Sequence, residues 1–584
     1  MKNPQKSPHA EKYDISERRK ETRLGPGYKW VVLSNTTLGA AMATIDGSIL
    51  IISLPAIFNG LHVNPLVATN AGLLIWLLLG YMIVSSVVVV TIGRLSDMFG
   101  RVRMYNMGFL IFATASTLLY ASSYLISGSA GALSLIILRL FQGLGGGFLI
   151  ANSAAIITDA FPVNERGKAM GINQIMAIAG SVAGLIIGGV LASIDWHLIF
   201  LISVPIGIIG TMWSYLALHE LAHLRKNQKL DIIGNVTFGI AITLIVIALT
   251  YSILPYDGSS TGFANPIVQW AILAGIVLMA VFVYIETRVE DPMLNLSLFR
   301  IRATSAGLVS LLLSGIARGG LQLMLIIWLQ GIWLPLHGVS FENTPLQAAV
   351  AMIPLVLGFL VAGPICGYLS DRYGARIFTT GGMLLNSFGF VVLAGMPANF
   401  QYVPFAVVIF MLGVGQGMFA APNTTAIMNS VPPEYRGVSS GMRATLMNVS
   451  NVMSIVIFFS MLTVGVSFVL PGALYAGLTA QNVSNSTALQ ISRLPPSTAL
   501  FAALLGTNPM EALLPQSVQA AIPKRNLDAI LGTNFFPKLI SKPFIEGMHT
   551  VLYFAALLTF IAAIASALRG KRYIYNDTGM QQTA

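Results

Sequence analysis

The sequence predicts an all-α integral membrane protein with fourteen transmembrane helices, arranged 6 + 2 + 6 as two six-helix bundles with an inserted pair. Three observations predict this fold class: an apolar composition, a one-sided distribution of basic residues and an internal repeat. Of the 584 residues, 55% are hydrophobic and only 9% are charged, against roughly 25% charged residues in ordinary soluble domains. This composition excludes a water-soluble protein, so the net charge of +11 must first be placed relative to a bilayer.

Fourteen apolar segments are each long enough to cross a hydrocarbon core of ~30 Å. They lie near 29–58, 66–92, 104–124, 131–159, 168–192, 197–219, 232–254, 266–286, 303–330, 344–366, 377–396, 402–428, 439–470 and 546–569. Basic residues test this count, because Lys and Arg collect on the cytoplasmic side. With the amino terminus inside, the inner segments hold 26 of the 33 basic residues, Arg443 included, and the six short outer loops hold none. We therefore expect a multi-pass protein of the plasma (cytoplasmic) membrane with both termini cytoplasmic.

A repeat sets the domain organisation. Gly93-Arg-Leu-Ser-Asp97-Met-Phe-Gly100 recurs as Gly367-Tyr-Leu-Ser-Asp371-Arg-Tyr-Gly374, an offset of 274 residues, and Gln142-Gly143 recurs at the same offset. A six-span unit is thus duplicated, which leaves spans seven and eight as the inserted pair. The predicted parts are a cytoplasmic disordered tail (1–28), an N-terminal six-helix bundle (29–222), an inserted helix pair with flanking inner loops (223–300), a C-terminal six-helix bundle (301–569) that includes an extracytoplasmic cap (471–545), and a cytoplasmic tail (570–584).

Asp46 is the only acidic residue well inside a predicted span. A charge at the bilayer centre costs ~2.5–3.5 kcal/mol on insertion scales, so an unpaired carboxylate there holds its proton more strongly than in water. Asp46 is therefore a candidate proton carrier that faces a central cavity and exchanges its proton for substrate. A permanent ion pair with Arg139, which ties spans one and four together, is the alternative.

Two arginines also lie within predicted spans. Arg139 keeps its charge, so it either tunes Asp46 or holds backbone carbonyls of a neighbouring helix. Gln142 shares the helix face of Arg139 and is a candidate hydrogen-bond donor to Asp46 or to substrate. Arg318 would place a positive charge on the opposite wall of the cavity, which suits amphiphiles with both charges or an anionic head group as well as a cation. Snorkelling of Arg318 toward the outer surface is the alternative.

The repeated loop supplies a candidate gate between the halves. An aspartate beside a helix amino terminus is stabilised by backbone N–H groups and by the helix dipole, so a latch of this kind would close the inner side. Positive-inside anchoring with a tight glycine turn is the alternative, but it does not explain the repeated aspartate. The candidate gate residues are Gly93, Asp97, Gly100 and Arg101, with Asp371 and Arg372 as a shorter second copy.

Glycines recur every four residues in two spans. Such stripes let helix backbones approach closely, which predicts tight packing and, as a sharper alternative, sliding between conformations. These glycines are Gly143 and Gly147 in span four, and Gly180, Gly184 and Gly188 in span five.

Together these motifs resemble the major facilitator superfamily, and specifically its fourteen-span drug:proton antiporter-2 family. The segment 93–103 is similar to the superfamily's loop 2–3 motif, 45–55 resembles the family's first-span motif, and 138–143 resembles its fourth-span arginine motif. The span-five glycines keep the spacing of the antiporter signature, although Leu185 stands where that signature usually has proline. The resemblance implies the major facilitator fold and export of drugs, dyes and quaternary ammonium compounds in exchange for protons.

The predicted function is therefore proton-coupled secondary active export of lipophilic drugs or amphiphiles, expected to be cationic, by alternating access. The expected partners are small lipophilic substrates, protons and membrane lipids, with no nucleic acid, no metal and no cofactor, and the protein is expected to be a monomer and not an enzyme. No G-x-x-x-x-G-K-[ST] sequence occurs, so ATP is not the direct driver.

Three alternative functions remain open at this point. The first is export of an endogenous lipid, siderophore or metabolite with loose proton coupling. The second is a membrane sensor that uses the same fold. The third is a zinc metalloprotease, because His219-Glu220-Leu-Ala-His223 is a literal H-E-x-x-H sequence, although no third ligand is evident.

Overall fold

The computed structural model describes residue 25, residues 27–63, 71–162, 165–221 and 231–289, residue 292, and residues 296–432 and 435–570. Nearly all of both predicted tails lies outside these residues. Within the described part, thirteen helices are long and apolar enough to cross a membrane, and a bent helix brings the number to fourteen. The predicted all-α membrane fold is confirmed.

Six helices form the first bundle: α1 (Tyr28–Gly60), α2 (Ala71–Phe99), α3 (Arg101–Leu125), α4 (Gly128–Ala160), α5 (Arg166–Ile194) and α6 (Leu198–Ala217). The inserted pair is α7 (Ile232–Tyr251) and α8 (Pro266–Glu286). The second bundle contains α9 (Arg302–Leu336), α10 (Thr344–Tyr373), α11 (Ala375–Ala394), α12 (Tyr402–Asn429), α13 (Arg436–Thr479) and α14 (Phe535–Ala567). Helix α2 is the bent one, with an angle of 49° between its two parts.

The two bundles repeat one packing scheme. In the first, α1 packs on α5, both α2 and α3 pack on α4, and α3 packs on α6; in the second, α9 packs on α13, both α10 and α11 pack on α12, and α11 packs on α14. The main contacts between the bundles are α2 with α13 and α5 with α10, which are again related by the repeat. The inserted helices pack on each other, and α7 also packs on α2, where Thr91 Oγ1 donates to Asn235 Oδ1 at 2.6 Å.

Helices α13 and α14 extend into the region predicted as the cap. Helix α13 continues past Pro471 to Thr479, because a buried face at Leu470, Leu474 and Leu478 persists at helical spacing. Five short helices follow, at Asn485–Ser492, Pro496–Leu504, Met510–Leu513, Gln516–Ala521 and Lys524–Leu531. We call the end of the protein that carries them the cap end, and the end where α3, α5 and α13 begin the basic end.

The glycine stripes lie where helices touch. A Cβ atom added at Gly184 of α5 would lie 2.2 Å from Ser48 Oγ and 2.5 Å from the carbonyl oxygen of Ile45, both on α1. A Cβ atom at Gly143 of α4 would lie 2.8 Å from the carbonyl oxygen of Tyr81 on α2. These glycines therefore set the spacing of α1 to α5 and of α2 to α4, while sliding of the helices stays a prediction.

Candidate functional site: a buried charge cluster and two latches

The central polar cluster joins α1, α3 and α4. Arg139 Nη1 on α4 donates to Asp46 Oδ2 on α1 and, at 2.6 Å, to Gln142 Oε1. Gln142 Nε2 donates to Asp46 Oδ1 and to Ser116 Oγ of α3, each at 2.8 Å. The carboxylate of Asp46 thus has a partner on each oxygen, and the sequence-predicted residues Asp46, Arg139 and Gln142 form one network.

This cluster lies inside the first bundle. Asp46 and Arg139 are each 2% exposed, and the Arg139 guanidinium carbon lies 5.1 Å from the ring centroid of Tyr81 on α2. The tyrosine lies so close to α4 that a Cβ atom at Gly146 would be 2.1 Å from its hydroxyl oxygen. The sequence analysis expected Asp46 to face a central cavity. In the structure, the partners of Asp46 among the described residues all belong to the first bundle.

The second bundle does not repeat this charge pair. At the offset of 274 residues, Gly320 and Gly413 correspond to Asp46 and Arg139, while Gln416 corresponds to Gln142. A Cβ atom at Gly413 would lie 1.9 Å from the carbonyl oxygen of Leu355, so no larger side chain fits there. The buried carboxylate and its arginine are therefore a feature of the first bundle alone.

Arg318 lies apart from this cluster, on α9. Its Nη2 atom lies 3.5 Å from Asn451 Oδ1 on α13, and one turn further along α9 Gln322 Nε2 lies 3.5 Å from Ser181 Oγ on α5 of the first bundle. The half-buried side chain of Arg318 is thus directed toward α13, on a helix whose next turn reaches the other bundle. Among the described residues, no contact joins Arg318 to Asp46.

The first latch joins the bundles at the basic end. Asp97 Oδ2, near the end of α2, accepts a hydrogen bond from the backbone N–H of Val438, in the first turn of α13, at 2.9 Å. Asp97 Oδ1 accepts from Arg101 at 2.8 Å, and Arg101 also donates to Asp159 at the end of α4. Arg436 of the second bundle lies 3.4 Å from the same Asp159. A carboxylate at a helix amino terminus and a charged network therefore join the two bundles at this end.

The second latch is the counterpart of the first under the repeat. Asp371 Oδ1, near the end of α10, accepts from the backbone N–H of Gly167, in the first turn of α5, at 3.2 Å. The two backbones nearly touch, because a Cβ atom at Gly167 would lie 2.4 Å from the carbonyl oxygen of Gly367, the repeat counterpart of Gly93. The guanidinium of Arg372 is directed elsewhere and lies 4.8 Å from the ring centroid of Tyr368 on its own helix.

Glycine is required at the turn that follows each latch aspartate. Gly100 has φ of 109° and Gly374 has φ of 84°, a backbone conformation that residues with a Cβ atom rarely adopt. Glu220, which follows α6, accepts a hydrogen bond from the backbone N–H of Val102 at 2.9 Å, and its carboxylate fills the space next to Gly100. The motif thus combines a latch with a tight turn.

The family follows from comparison with known sequences, since a family model described as the Major Facilitator Superfamily matches residues 36–455. The chain belongs to the Major Facilitator Superfamily. It is a multi-pass membrane transporter and not an enzyme. The proton:xylose symporter XylE, solved with 6-bromo-6-deoxy-D-glucose, has a similar fold, with a TM-score of 0.51 at 14% identity over 86% of this chain and 99% of that chain.

Two relatives of this chain have names that differ in cargo. The riboflavin transporter RibZ of Clostridioides difficile (strain 630) is 30% identical over 437 residues, which cover 74% of this chain and 88% of the relative. The multidrug transporter protein MdtP of Bacillus subtilis (strain 168) is 23% identical over 545 residues, which cover 91% of this chain and 92% of the relative.

The H-E-x-x-H sequence is divided by the limits of the described residues. His223 lies outside them. His219 exchanges hydrogen bonds with Tyr28, while Glu220 accepts from Val102 as described above. Within the described part of the chain, no group of three or more His, Cys, Asp and Glu side chains is placed to hold a metal ion. The contacts of Glu220 give this segment a role in the fold of the transporter.

The sequence analysis missed Arg443, which it counted among the inner loop charges. The structure places Arg443 within α13 with only 5% of its surface exposed. Its Nε atom has no hydrogen-bond partner among the described residues. The repeat contained a signal, because Arg166-Gly167 aligns with Arg436-Gly437 and thereby pairs Arg443 with Asn173, which the structure buries on α5.

Proposed function

We propose that this major facilitator transporter is a proton-coupled exporter of lipophilic drugs or amphiphiles, and that it works by alternating access. It would lie in the plasma membrane with its basic end in the cytoplasm. The observation that carries the proposal is the carboxylate of Asp46, which is buried with Arg139 and Gln142 between helices. The resemblance of this segment to the drug:proton antiporter-2 family, and relatives with names such as multidrug transporter, support the same function.

The proton step acts through the pair of Asp46 and Arg139. When Asp46 is ionised, both of its oxygens accept hydrogen bonds from α4. Protonation would remove the charge that Arg139 neutralises, so the guanidinium would exchange this partner for another and the contact of α1 with α4 would change.

Helix α4 offers a physical connection from the proton step to the gate. Arg139 lies in the middle part of α4, and Asp159 at its end binds Arg101 and Arg436 of the first latch. A shift of α4 on protonation would therefore move Asp159 and change its contacts with Arg101 and Arg436 at the basic end. This arrangement would couple the proton site to access from the cytoplasm, as an antiporter needs.

The energy of a single proton is sufficient for useful export. One charge that crosses 100 mV releases ~2.3 kcal/mol. At about 1.4 kcal/mol per tenfold ratio, this corresponds to roughly a fifty-fold concentration gradient of cargo. One titrating carboxylate is thus enough for the export of an uncharged cargo, whereas one-for-one exchange with a monovalent cation moves no net charge and is driven by the pH difference alone.

The test is a proton-flux assay on the purified protein in proteoliposomes with a pH-sensitive dye in the lumen. Ethidium or tetraphenylphosphonium, added as cationic cargo, should change the luminal pH with the wild type. Asp46→Asn should abolish this change, while Asp528→Asn, at an exposed carboxylate of the cap, should leave it intact. A folded Asp46→Asn protein that exports with unchanged proton dependence would contradict the proposal.

A second candidate function is export of an endogenous lipid, siderophore or metabolite with loose coupling. The observation in its favour is the 30% identity to a relative named as a riboflavin transporter. Leu185, which is 1% exposed, stands where the antiporter signature usually has proline and is compatible with weaker coupling. Riboflavin that exchanges across the same proteoliposomes, without a luminal pH change and without competition from ethidium, would favour this function.

A further inference from the structure

Buried polar atoms without partners are concentrated on one part of α13. Arg443 Nε, Asn448 Nδ2 and the hydroxyl oxygens of Ser439 and Ser440 have no hydrogen-bond partner among the described residues. Each of these four residues is less than a tenth exposed. Because buried polar atoms in native proteins nearly always have a partner, such a concentration indicates a site for a ligand or for ordered water.

This part of α13 lies at the interface with the first bundle. Just before it, Val438 donates to Asp97, and within it Thr445 Oγ1 donates to the carbonyl oxygen of Ser86 on α2 at 3.3 Å. Ala444, next to Arg443, belongs to a buried apolar cluster with Ala151 of α4. These contacts place this part of α13 along the surface at which the two bundles would separate in alternating access.

Arg318 of α9 approaches α13 on the same side as Arg443 and closer to the cap end. Arg443, Met447 and Asn451 follow one another at intervals of four residues, so they lie on one side of α13 over ~12 Å at 1.5 Å per residue. Asn451 is the residue that Arg318 Nη2 approaches from α9 at 3.5 Å. Two arginines thus lie near the two ends of this segment of α13.

Neither guanidinium is neutralised by a carboxylate of the residues that the structure describes. Asp46 is paired with Arg139, and Asp97 and Asp159 are paired at the first latch, whereas Arg318 and Arg443 have no carboxylate partner among the described residues. An uncompensated buried charge such as that of Arg443 is strongly unfavourable. A bound anion would remove this cost, and the planar guanidinium fork matches a carboxylate or a phosphate group.

Beyond Arg318, the part of the interface that faces α2 is apolar. Leu323 of α9 and Ile455 of α13 follow Arg318 and Asn451 by about one helical turn each. Together with Leu78 and Leu79 of α2 they line a small cavity of about 20 Å³ with an entirely apolar lining. Along the transport axis, the interface thus carries cationic side chains near the basic end and apolar side chains toward the cap end.

We propose that the bundle interface binds an amphiphile by its anionic head group, a carboxylate or a phosphate, which lies between Arg443 and Arg318 and is attracted by both, while the apolar part lies against Leu323 and Ile455. This inference rests on the proposed export function and adds an anionic amphiphile to the cationic cargo tested there. The repeat counterparts of these arginines in the first bundle, Asn173 and Thr44, are neutral. The positive charge therefore lies on one wall of the interface only.

Equilibrium binding to the full-length protein in phosphatidylcholine nanodiscs tests the proposal. The probes are a fluorescent nitrobenzoxadiazole-labelled dodecanoate and its uncharged methyl ester, with tetraphenylphosphonium as a cationic competitor. The wild type should bind the dodecanoate at least tenfold more tightly than the ester. Arg443→Gln should remove most of this preference without changing ester binding, Arg443→Lys should keep part of it, and Arg493→Gln, at an exposed arginine of the cap, should behave as the wild type.

Competition distinguishes the possible sources of the head group. Displacement of the probe by inorganic phosphate would indicate that the head group alone is recognised, and displacement only by phosphatidylglycerol in the nanodisc would indicate a lipid. Both results support the site. A folded Arg443→Gln protein that keeps the full preference for dodecanoate, or a wild type that binds ester equally well or prefers tetraphenylphosphonium, overturns it.

A second variant covers a failure of Arg443→Gln to fold. Arg318→Gln should also reduce the preference for dodecanoate, and an unchanged preference in that variant would overturn the role of Arg318. Binding is measured without a proton gradient, so its result is separate from the proton-flux assay. Absence of proton movement would contradict the proposed coupling but not the anion site. Absence of a preference for dodecanoate would contradict the anion site but not the coupling.

Discussion

Asp46 and Arg139 can lie in the buried interior of the first bundle because each compensates the charge of the other. Both are 2% exposed, and Gln142 bonds to both of them. Removal of one partner of a buried pair leaves an uncompensated charge, which costs about 3–5 kcal/mol, whereas removal of both charges costs much less. The pair therefore imposes a requirement on stability as well as on transport.

This requirement predicts a non-additive pair of substitutions. Arg139→Gln should lower the stability of the purified protein by about 3–5 kcal/mol, and Asp46→Asn combined with Arg139→Gln should restore a large part of that loss. Thermal unfolding in detergent, followed by tryptophan fluorescence, measures both effects. Strictly additive losses from the two substitutions would show that the residues do not compensate each other in the folded protein.

At the scale of elements, the spacing of α1 and α5 depends on glycine. Gly184 lies where an added Cβ atom would be 2.2 Å from Ser48 Oγ, whereas at Gly189 on the same helix the nearest atom, of Leu346, is 3.8 Å away. An added methyl group has space at Gly189 but not at Gly184, and both positions lie on α5. Substitutions at these two positions therefore form a matched pair.

Gly184→Ala should therefore destabilise the protein by about 1–3 kcal/mol through overpacking, and export should fall with it. Gly189→Ala should be neutral or slightly stabilising, since alanine is a better helix former than glycine. Apparent unfolding temperatures of the two variants, measured side by side, check this expectation. Equal unfolding temperatures would show that the contact of α1 with α5 yields easily, which would favour the sliding interpretation of the stripe.

At the scale of the whole molecule, two carboxylate contacts, the proposed latches, join the bundles at the basic end. Asp97 accepts from α13 and Asp371 accepts from α5, so each bundle supplies one carboxylate and one helix amino terminus. The inserted helices lie outside this arrangement, with α7 against α2 and α8 against α7. The repeat therefore yields a closed end with approximate twofold symmetry, and loss of one latch should favour opening.

Asp97→Asn should increase the population that is open at the basic end. A loss of about 1–2 kcal/mol in latch energy changes the ratio of open to closed molecules five- to thirtyfold. Spin labels at Phe99→Cys and Tyr373→Cys, both exposed and on different bundles, report this opening as a longer distance in pulsed electron resonance. Asp528→Asn serves as the control, and a distance distribution for Asp97→Asn identical to that of the control would argue against a latch.

The sequence alone determined the membrane class, the number of spans, the two bundles and the inserted pair. It could do so because span length, the location of basic residues and the repeat at 274 residues are local or periodic features that need no knowledge of contacts. The same reasoning selected Asp46, Arg139, Gln142 and the latch aspartates, since ionisable residues within a span and repeated motifs stand out in an apolar chain.

Tertiary structure decided which of these residues meet and which way they face. It placed Asp46 inside the first bundle, directed Arg372 to Tyr368, and showed that Arg443 is buried in a helix and is not a loop charge. The side of a helix that a residue occupies relative to its neighbours depends on packing between distant segments, and the helices of this chain are apolar on nearly every side. Only the packed structure could therefore separate the neutralised charges from Arg318 and Arg443, for which the described residues provide no carboxylate partner.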